Sequence, residues 1–330
     1  MKKICYYTFA TLYLLFSFVP AIAVEIKASA DIEVFYERSD DINGVNDDDK
    51  FKTNQLYVTF DGKFEPGYFA KLKLDGADIV SSDGGNVTGK IVEEANFTIS
   101  DLGGSPVTVV FGKDEMPYGL DYDKYLNDSI AHAFEIDKVW GIHGIMKLSD
   151  FGNIAVALYE HRNGSDENEL TDNYTARVMM DQLIQNLIFE VSFAGEEYVS
   201  LTEDLDDETR YSVGIVYKFI DGVNVNFEYN SFQNRKGARD YDPSILTAGL
   251  EYKIESFKLF TRYEKIFEDT ISDVEENFFM GGVSYTPTKN YTFSLEIANF
   301  NSNNLKDAAD LNVTDGSLDT AIIGGIHAKF

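Results

Sequence analysis

The chain has 330 residues, and its 56 acidic side chains against 28 basic ones give a net charge of −28. Such acidity excludes a nucleic-acid partner, which would need clustered Lys and Arg, and a single cysteine excludes a disulfide-stapled scaffold. With 20 tyrosines and 25 phenylalanines the chain is too aromatic for a disordered acidic polymer, so the rings must be buried in a core or in lipid.

The first segment is read as an export signal. Lys2 and Lys3 precede an apolar run from Ile4 to Val19, and Pro20 leads into the small-residue site Ala21-Ile22-Ala23. That order predicts a signal peptide over 1–23, cleaved after Ala23, which removes Cys5 and leaves 24–330. Beyond it no apolar run approaches the length of about 20 residues needed by a membrane-spanning helix.

From Ile26 onward the chain alternates with a period of two. Ile26, Ala28, Ala30, Ile32 and Val34 interleave with Lys27, Ser29, Asp31 and Glu33; Tyr211, Val213, Ile215 and Tyr217 interleave with Arg210, Ser212 and Gly214; Val223, Val225, Phe227 and Tyr229 interleave with Asn224, Asn226 and Glu228. Such segments are strands with one apolar and one polar face. About sixteen are expected: 26–37, 52–64, 67–78, 89–101, 105–114, 136–149, 151–162, 172–183, 186–199, 209–219, 222–233, 244–255, 256–267, 275–286, 290–301 and 318–330.

The connections alternate as well. Every second one is short, as in Glu65-Pro66-Gly67, Ile184-Gln185 and Pro287-Thr288-Lys289. The others are long and mostly acidic, as in "SDDINGVNDDDK" at 39–50, "LTEDLDDE" at 201–208 and "NSNNLKDAADLNVTDG" at 301–316. Their carboxylates, Asp47 to Asp49 and Glu203 to Glu208 among them, are read as solvated loop charges, since no calcium-loop spacing is present. Tight turns gathered at one end describe an up-and-down antiparallel sheet, and lipid forces such a sheet to close, because only a closed sheet satisfies every backbone group there. The expected fold is therefore all-β: a transmembrane antiparallel up-and-down β-barrel of about sixteen strands. A soluble sandwich has no reason to segregate its loops in this way.

With its leader, its sixteen strands and its closing "IIGGIHAKF", the chain resembles Gram-negative outer-membrane porins over essentially all of 24–330. The resemblance implies residence in the outer membrane, contact with lipid and lipopolysaccharide, a homotrimer, and recognition of Phe330 by the barrel-assembly machinery as an assembly signal. A second likeness lies in "VTVVFGKDEMPYGLDYDKYLND" at 107–128. A strand ending in Gly-Lys and followed by Pro-Tyr-Gly is shared by general diffusion, phosphate-selective and siderophore porins, and does not choose among them. Pro117 and Gly119 end the strand, since proline cannot donate to the ladder and glycine permits a sharp bend. The resemblance implies that 115–135 folds into the lumen as a constriction loop carrying Glu115, Pro117, Tyr118, Gly119, Asp121, Asp123 and Asp128; the alternative is a loop lying over the rim.

Parity points Lys71, Lys73, Arg177, Arg210, Lys218 and Arg262 into the lumen as pore-lining residues. Four histidines occur, at 132, 143, 161 and 327, but none lies in a nucleophile, Walker, zinc or dinucleotide motif, so no enzyme, metal or cofactor is expected. The expected function is a water-filled channel for passive diffusion of ions and small hydrophilic solutes. Acidic mouths raise local cation concentration and pore charges set ion preference, so mild cation selectivity is expected. Two alternatives stand beside it: a substrate-specific channel for a siderophore or an oligosaccharide, and a non-conducting barrel whose loops serve adhesion or receptor roles.

Overall fold

The computed structural model describes residues 25–40, 48–76, 92–120, 136, 138–160, 173–198, 206–235, 238–239, 241–267, 276–301 and 319–330. The predicted leader, Asp121, Asp123, Asp128, His132 and His161 lie outside them.

Sixteen strands run in chain order: β1 (Glu25–Asp40), β2 (Asp48–Lys63), β3 (Tyr68–Asp75), β4 (Val92–Ile99), β5 (Val107–Asp114), β6 (Val139–Lys147), β7 (Asn153–Tyr159), β8 (Asn173–Ile184), β9 (Leu187–Glu196), β10 (Glu208–Ile220), β11 (Val223–Gln233), β12 (Ser244–Ile254), β13 (Phe257–Phe267), β14 (Glu276–Thr288), β15 (Tyr291–Asn301) and β16 (Asp319–Lys329). Each pairs antiparallel with its neighbours in sequence, and β16 returns to pair with β1, so the sheet closes. Closure leaves no edge, which the hydrocarbon phase would make costly.

The seam between first and last strands runs in unbroken register from Asp31 opposite Lys329 to Asp40 opposite Thr320. Ala30 and Phe330 exchange both backbone hydrogen bonds, at 3.0 and 2.9 Å. On the lumen side Asp31 bonds His327 and lies 3.6 Å from the Lys329 ammonium. Outside, the Phe330 ring meets Tyr291 edge to face at 6.0 Å.

The alternation read from sequence sorts the two faces. On β10, Tyr211, Val213, Ile215 and Tyr217 are exposed outward, while Glu208, Ser212 and Gly214 are buried inward. On β13 the outward row begins at Phe257 and ends at Phe267 with Leu259 between. That row covers about 34 Å at about 3.4 Å per residue. Tilted by about 40°, it stands about 26 Å tall, matching the apolar band of outer-membrane barrels with aromatics at both borders.

Two features depart from the sequence reading. The acidic stretches are not simply loops: Asp48 and Asp49 belong to β2, paired with Ser39 and Arg38, because the β1–β2 hairpin continues past the predicted strand ends. Glu208 opens β10 and is buried inside the barrel beside Arg210, whose guanidinium offsets the cost of taking the carboxylate out of water. The inner face is also not uniformly polar. Phe232, Ile245, Phe260, Ile266, Phe278, Met280 and Ala298 form a buried apolar cluster on the lumen side of β11 to β15. There both faces of a strand are apolar, as at Phe278 (buried) and Phe279 (exposed).

Candidate functional site: the inward turn and the lumen wall

The site begins where β5 ends. Gly112 has φ +122°, and a Cβ there would lie 2.1 Å from the Ala95 carbonyl oxygen, so only glycine keeps β4 and β5 paired at this point. After Asp114 the chain leaves the sheet. Its exit is pinned by the Met116 N–H donating to the Ile136 carbonyl at 2.9 Å, and by Lys138 bridging to Glu115 at 3.2 Å.

Residues 116–120 then fold inward, and all five are buried. Met116 and Tyr118 pack with Ile136, Val139, Ala157, Tyr159 and Ala194 on the inner wall of β6, β7 and β9. Polar contacts fix the tip of the turn. The Gly119 N–H donates to Ser192 Oγ on β9 at 3.0 Å, and its carbonyl accepts from Arg177 on β8 at 3.4 Å. The Leu120 N–H donates to Glu228 Oε1 on β11 at 2.8 Å. Gly119 itself sits at φ +69°, and a Cβ there would lie 2.8 Å from the same carboxylate oxygen. Leu120 fills the space over Gly214 on β10, where a Cβ would come within 2.5 Å of its Cγ.

Behind the turn lies a hub of carboxylates and hydroxyls. Ser192 donates to Glu190, and Ser212 lies 2.9 Å from Glu228 and 3.3 Å from Glu190. Toward the long-loop side, Arg210 is clasped between Glu196 and Glu208, each at 2.5 Å, and lies over the Phe232 ring. Tyr159 donates to Glu196 at 2.8 Å.

On the opposite wall Lys71, Lys73 and Lys138 converge on Glu94 at 2.6, 3.6 and 3.8 Å. Arg262 is buried 3.9 Å from Glu264. Lys218 shares the lumen face of the cavity-lining Asn224, which it opposes, and is exposed near the tight turn of β10 and β11. Parity therefore places all six predicted basic residues inward. It does not show that Lys71, Lys73, Arg210 and Arg262 have carboxylate partners on their own strands or nearby ones. His143 is buried on β6, 3.9 Å from Asp114.

A cavity of about 940 Å³ opens between this region and the short-turn end. Its lining carries Asp31, Glu33, Glu94, Glu115, Glu251, Glu255 and Glu296 against Lys73, Lys138, Lys253, Lys258 and Lys329, seven carboxylates to five ammonium groups. Ser284 with Ser294 and Thr286 with Thr292 add paired hydroxyls at 2.9 and 3.1 Å. Among the described residues no group of three His, Cys, Asp or Glu is placed to hold a metal ion. The arrangement is suited to passage of water and polar solutes.

A sequence-family model described as Gram-negative porin matches residues 10–318. The chain belongs to the Gram-negative porin family. The porin fold is shared with the outer membrane channel DcaP of Acinetobacter baumannii, at a TM-score of 0.69 and 12% identity over 93% of this chain and 97% of that one. The anion-selective porin from Comamonas acidovorans gives a TM-score of 0.67 at 13% identity, over 93% and 100% of the two chains. OmpT of Vibrio cholerae, outer-membrane expressed, gives 0.66 at 14% identity, over 94% and 99%. At these identities the likeness is one of fold. No curated protein matches this chain. As a porin it is an outer-membrane channel for diffusion and not an enzyme.

Sequence reasoning missed Glu94, Glu190, Glu196 and Glu228, although each lies on the polar parity of its strand. That parity was the available signal. Their partners were not legible, because Leu120 and Glu228 are 108 residues apart in the chain.

Proposed function

We propose that this porin passes ions and small hydrophilic solutes without a dedicated substrate, with a mild preference for cations. The observation that carries the reading is the inward turn at 115–120 beside a cavity whose carboxylates outnumber its ammonium groups. Buried fixed charges act on passing ions more strongly than screened surface charges. Glu94 and Glu115 offset part of the positive field of Lys71, Lys73 and Lys138 locally. One relative of the same fold is described as anion-selective, so it is wall chemistry that decides the sign. The segment 115–135 acts as the narrowing of the pore, with Glu115, Pro117, Tyr118 and Gly119 at its root. Lys71, Lys73, Arg177, Arg210, Lys218 and Arg262 line the wall around it.

The porin works as a homotrimer in contact with lipid and lipopolysaccharide, as the solved trimer form of OmpT suggests by analogy of fold. Residues 1–23 direct export, and Phe330 is read by the barrel-assembly machinery. Reversal potentials across a planar bilayer under a potassium chloride gradient test the ion preference. A potential of the sign for cation excess is expected, and one of the opposite sign refutes it. Liposome swelling in sugars of graded size should fall smoothly with solute size; uptake of one sugar out of order would refute passage without a dedicated substrate.

A further inference from the structure

A second pocket, of about 440 Å³, lies on the lumen wall of β1 to β4 at the short-turn end. The pairing registers lay its side chains out in two lateral rows. One row runs Glu25, Lys63, Phe69, Thr98 and the other Lys27, Asp61, Lys71, Asn96, each residue opposite the next on the neighbouring strand. Phe69 shares the inward parity of Lys71 and Lys73, so its ring faces the water of the lumen instead of lipid. It is 37% accessible, and among the described residues it makes no contact with another ring or a cation. A bare ring in a charged row is not explained by packing. It is apolar area that a ligand could remove from water.

The polar groups around the ring are also unengaged. Glu25 holds Lys27 at 3.3 Å and Glu94 holds Lys71 at 2.6 Å. Among the described residues, however, the side chains of Asp61, Lys63, Asn96 and Thr98 make no hydrogen bond or ion pair. They offer a carboxylate acceptor, an ammonium donor, and an amide and a hydroxyl that each do both. Lys27, Lys63 and Lys71 stand against Glu25, Asp61 and Asp114 in the lining, so the charges balance and favour neither an anion nor a cation. The matching ligand is neutral, has an apolar face for the ring, and carries adjacent hydroxyls that can both donate and accept. A pyranose sugar has all three properties: one face of C–H groups and an edge of hydroxyls.

We propose that this pocket is a docking subsite for neutral pyranose sugars. Phe69 lies against the C–H face, Asp61 accepts from one hydroxyl, and Lys63 and Asn96 donate to its neighbours. The proposal goes beyond passage of small hydrophilic solutes by naming where one class of them pauses, and it rests on the lumen being a solute path. Bonds to the charged side chains are the stronger ones, while the ring contributes buried area. Every pyranose presents such a face and edge, so the subsite retains sugars as a class and leaves their order of uptake by size intact. With few contacts and an open pocket, its affinity is of millimolar order.

The test is saturation-transfer NMR on the intact porin in a detergent without a sugar headgroup, with methyl β-glucopyranoside as the probe. Transfer should be strongest to the C–H protons of one ring face, and titration should show saturable binding. Phe69→Ala should weaken binding about tenfold, one decade of affinity. Phe69→Trp keeps a ring and should bind within about twofold of wild type. Asp61→Asn keeps the shape, loses the charged acceptor and should weaken binding about fivefold. Absence of saturable transfer, or wild-type binding in both F69A and D61N, overturns the proposal. Displacement of the sugar by inorganic phosphate, or equal transfer to the open-chain polyol sorbitol, overturns the assignment to a neutral ring. Should F69A fail to fold, as judged by heat-modifiable migration, F69L keeps apolar bulk without a flat face and must weaken binding in its place. Binding without liposome swelling would refute the channel reading and leave the subsite standing, whereas swelling without binding refutes the subsite alone.

Discussion

Replacing Arg210 by methionine removes one cation from between two carboxylates. Its guanidinium lies 2.5 Å from both Glu196 and Glu208, and the side chains are 11, 5 and 1% accessible. Methionine keeps most of the packing against Phe232 but leaves two buried negative charges facing each other. Removing one partner of a buried pair costs about 3–5 kcal/mol. The lower end applies here, because Tyr159 still donates to Glu196 at 2.8 Å. A loss of about 3 kcal/mol lowers the folded-to-unfolded ratio roughly a hundredfold. Urea titration in detergent, read by heat-modifiable migration and by fluorescence of the sole tryptophan, Trp140, measures it. The triple variant R210M/E196Q/E208Q removes the surplus charges and should regain most of the loss. A single variant within about 0.5 kcal/mol of wild type, or a triple variant no better than the single one, would refute the argument.

Ile215 faces lipid at the middle of the outward row of β10, which runs from Tyr211 to Phe219, so Ile215→Arg should cost about 2–4 kcal/mol of barrel stability; the same urea titration checks this. The Arg239 guanidinium hydrogen-bonds Asp206 at 2.7 and 3.1 Å and holds its carboxyl below the usual 3.8. Because the folded value is depressed, this clasp between two connecting loops is complete above about pH 3.8 and is lost as pH falls through the lower folded value. Amide exchange at 206–207 and 238–239 should lose protection only below that point, and R239A should remove the pH dependence; equal protection at all pH values refutes it. Deleting Phe330 removes its two backbone bonds to Ala30, weakening the seam by roughly 2 kcal/mol at about 1 kcal/mol each. Outer-membrane yield should fall, while the barrels that assemble keep wild-type conductance; normal yield would sink the assembly role.

The strands were legible because lipid imposes a rule on one face of every one of them. Tyr211, Val213, Ile215 and Tyr217 announce β10 without reference to any other part of the chain. The lumen obeys no comparable rule. Phe260, Phe278 and Met280 point inward and Leu259 and Phe279 outward, and composition alone cannot tell a lipid neighbour from a lumen neighbour at those positions. Charges were legible by direction but not by partner. Lys71 and Lys73 could be placed inward, yet their convergence on Glu94 follows from the lateral register of β3 and β4, which places Lys73 opposite Glu94. The inward turn lies between these extremes. Pro117 and Gly119 marked where the strand stops, whereas its attachment to β9 and β11 depends on the curvature of the closed sheet.

The seam also dictates an order of events. Fifteen of the sixteen strand pairings join neighbours in sequence, but the last joins Asp31 to His327 across 296 positions. Closing a loop of that length costs about 5 kcal/mol on the logarithmic scale of chain closure, against far less for a hairpin. Hairpins can therefore form and dissolve long before the cylinder exists, and the intermediate is an open sheet with two unsatisfied margins. Its lifetime depends on how well β1 and β16 recognise each other. The residues that distinguish this encounter from all others, Ala30 with Phe330 and Asp31 with His327 and Lys329, gather at one end of the joint. A barrel that began to close from that end would zip toward the long loops, with its register decided at the first contact.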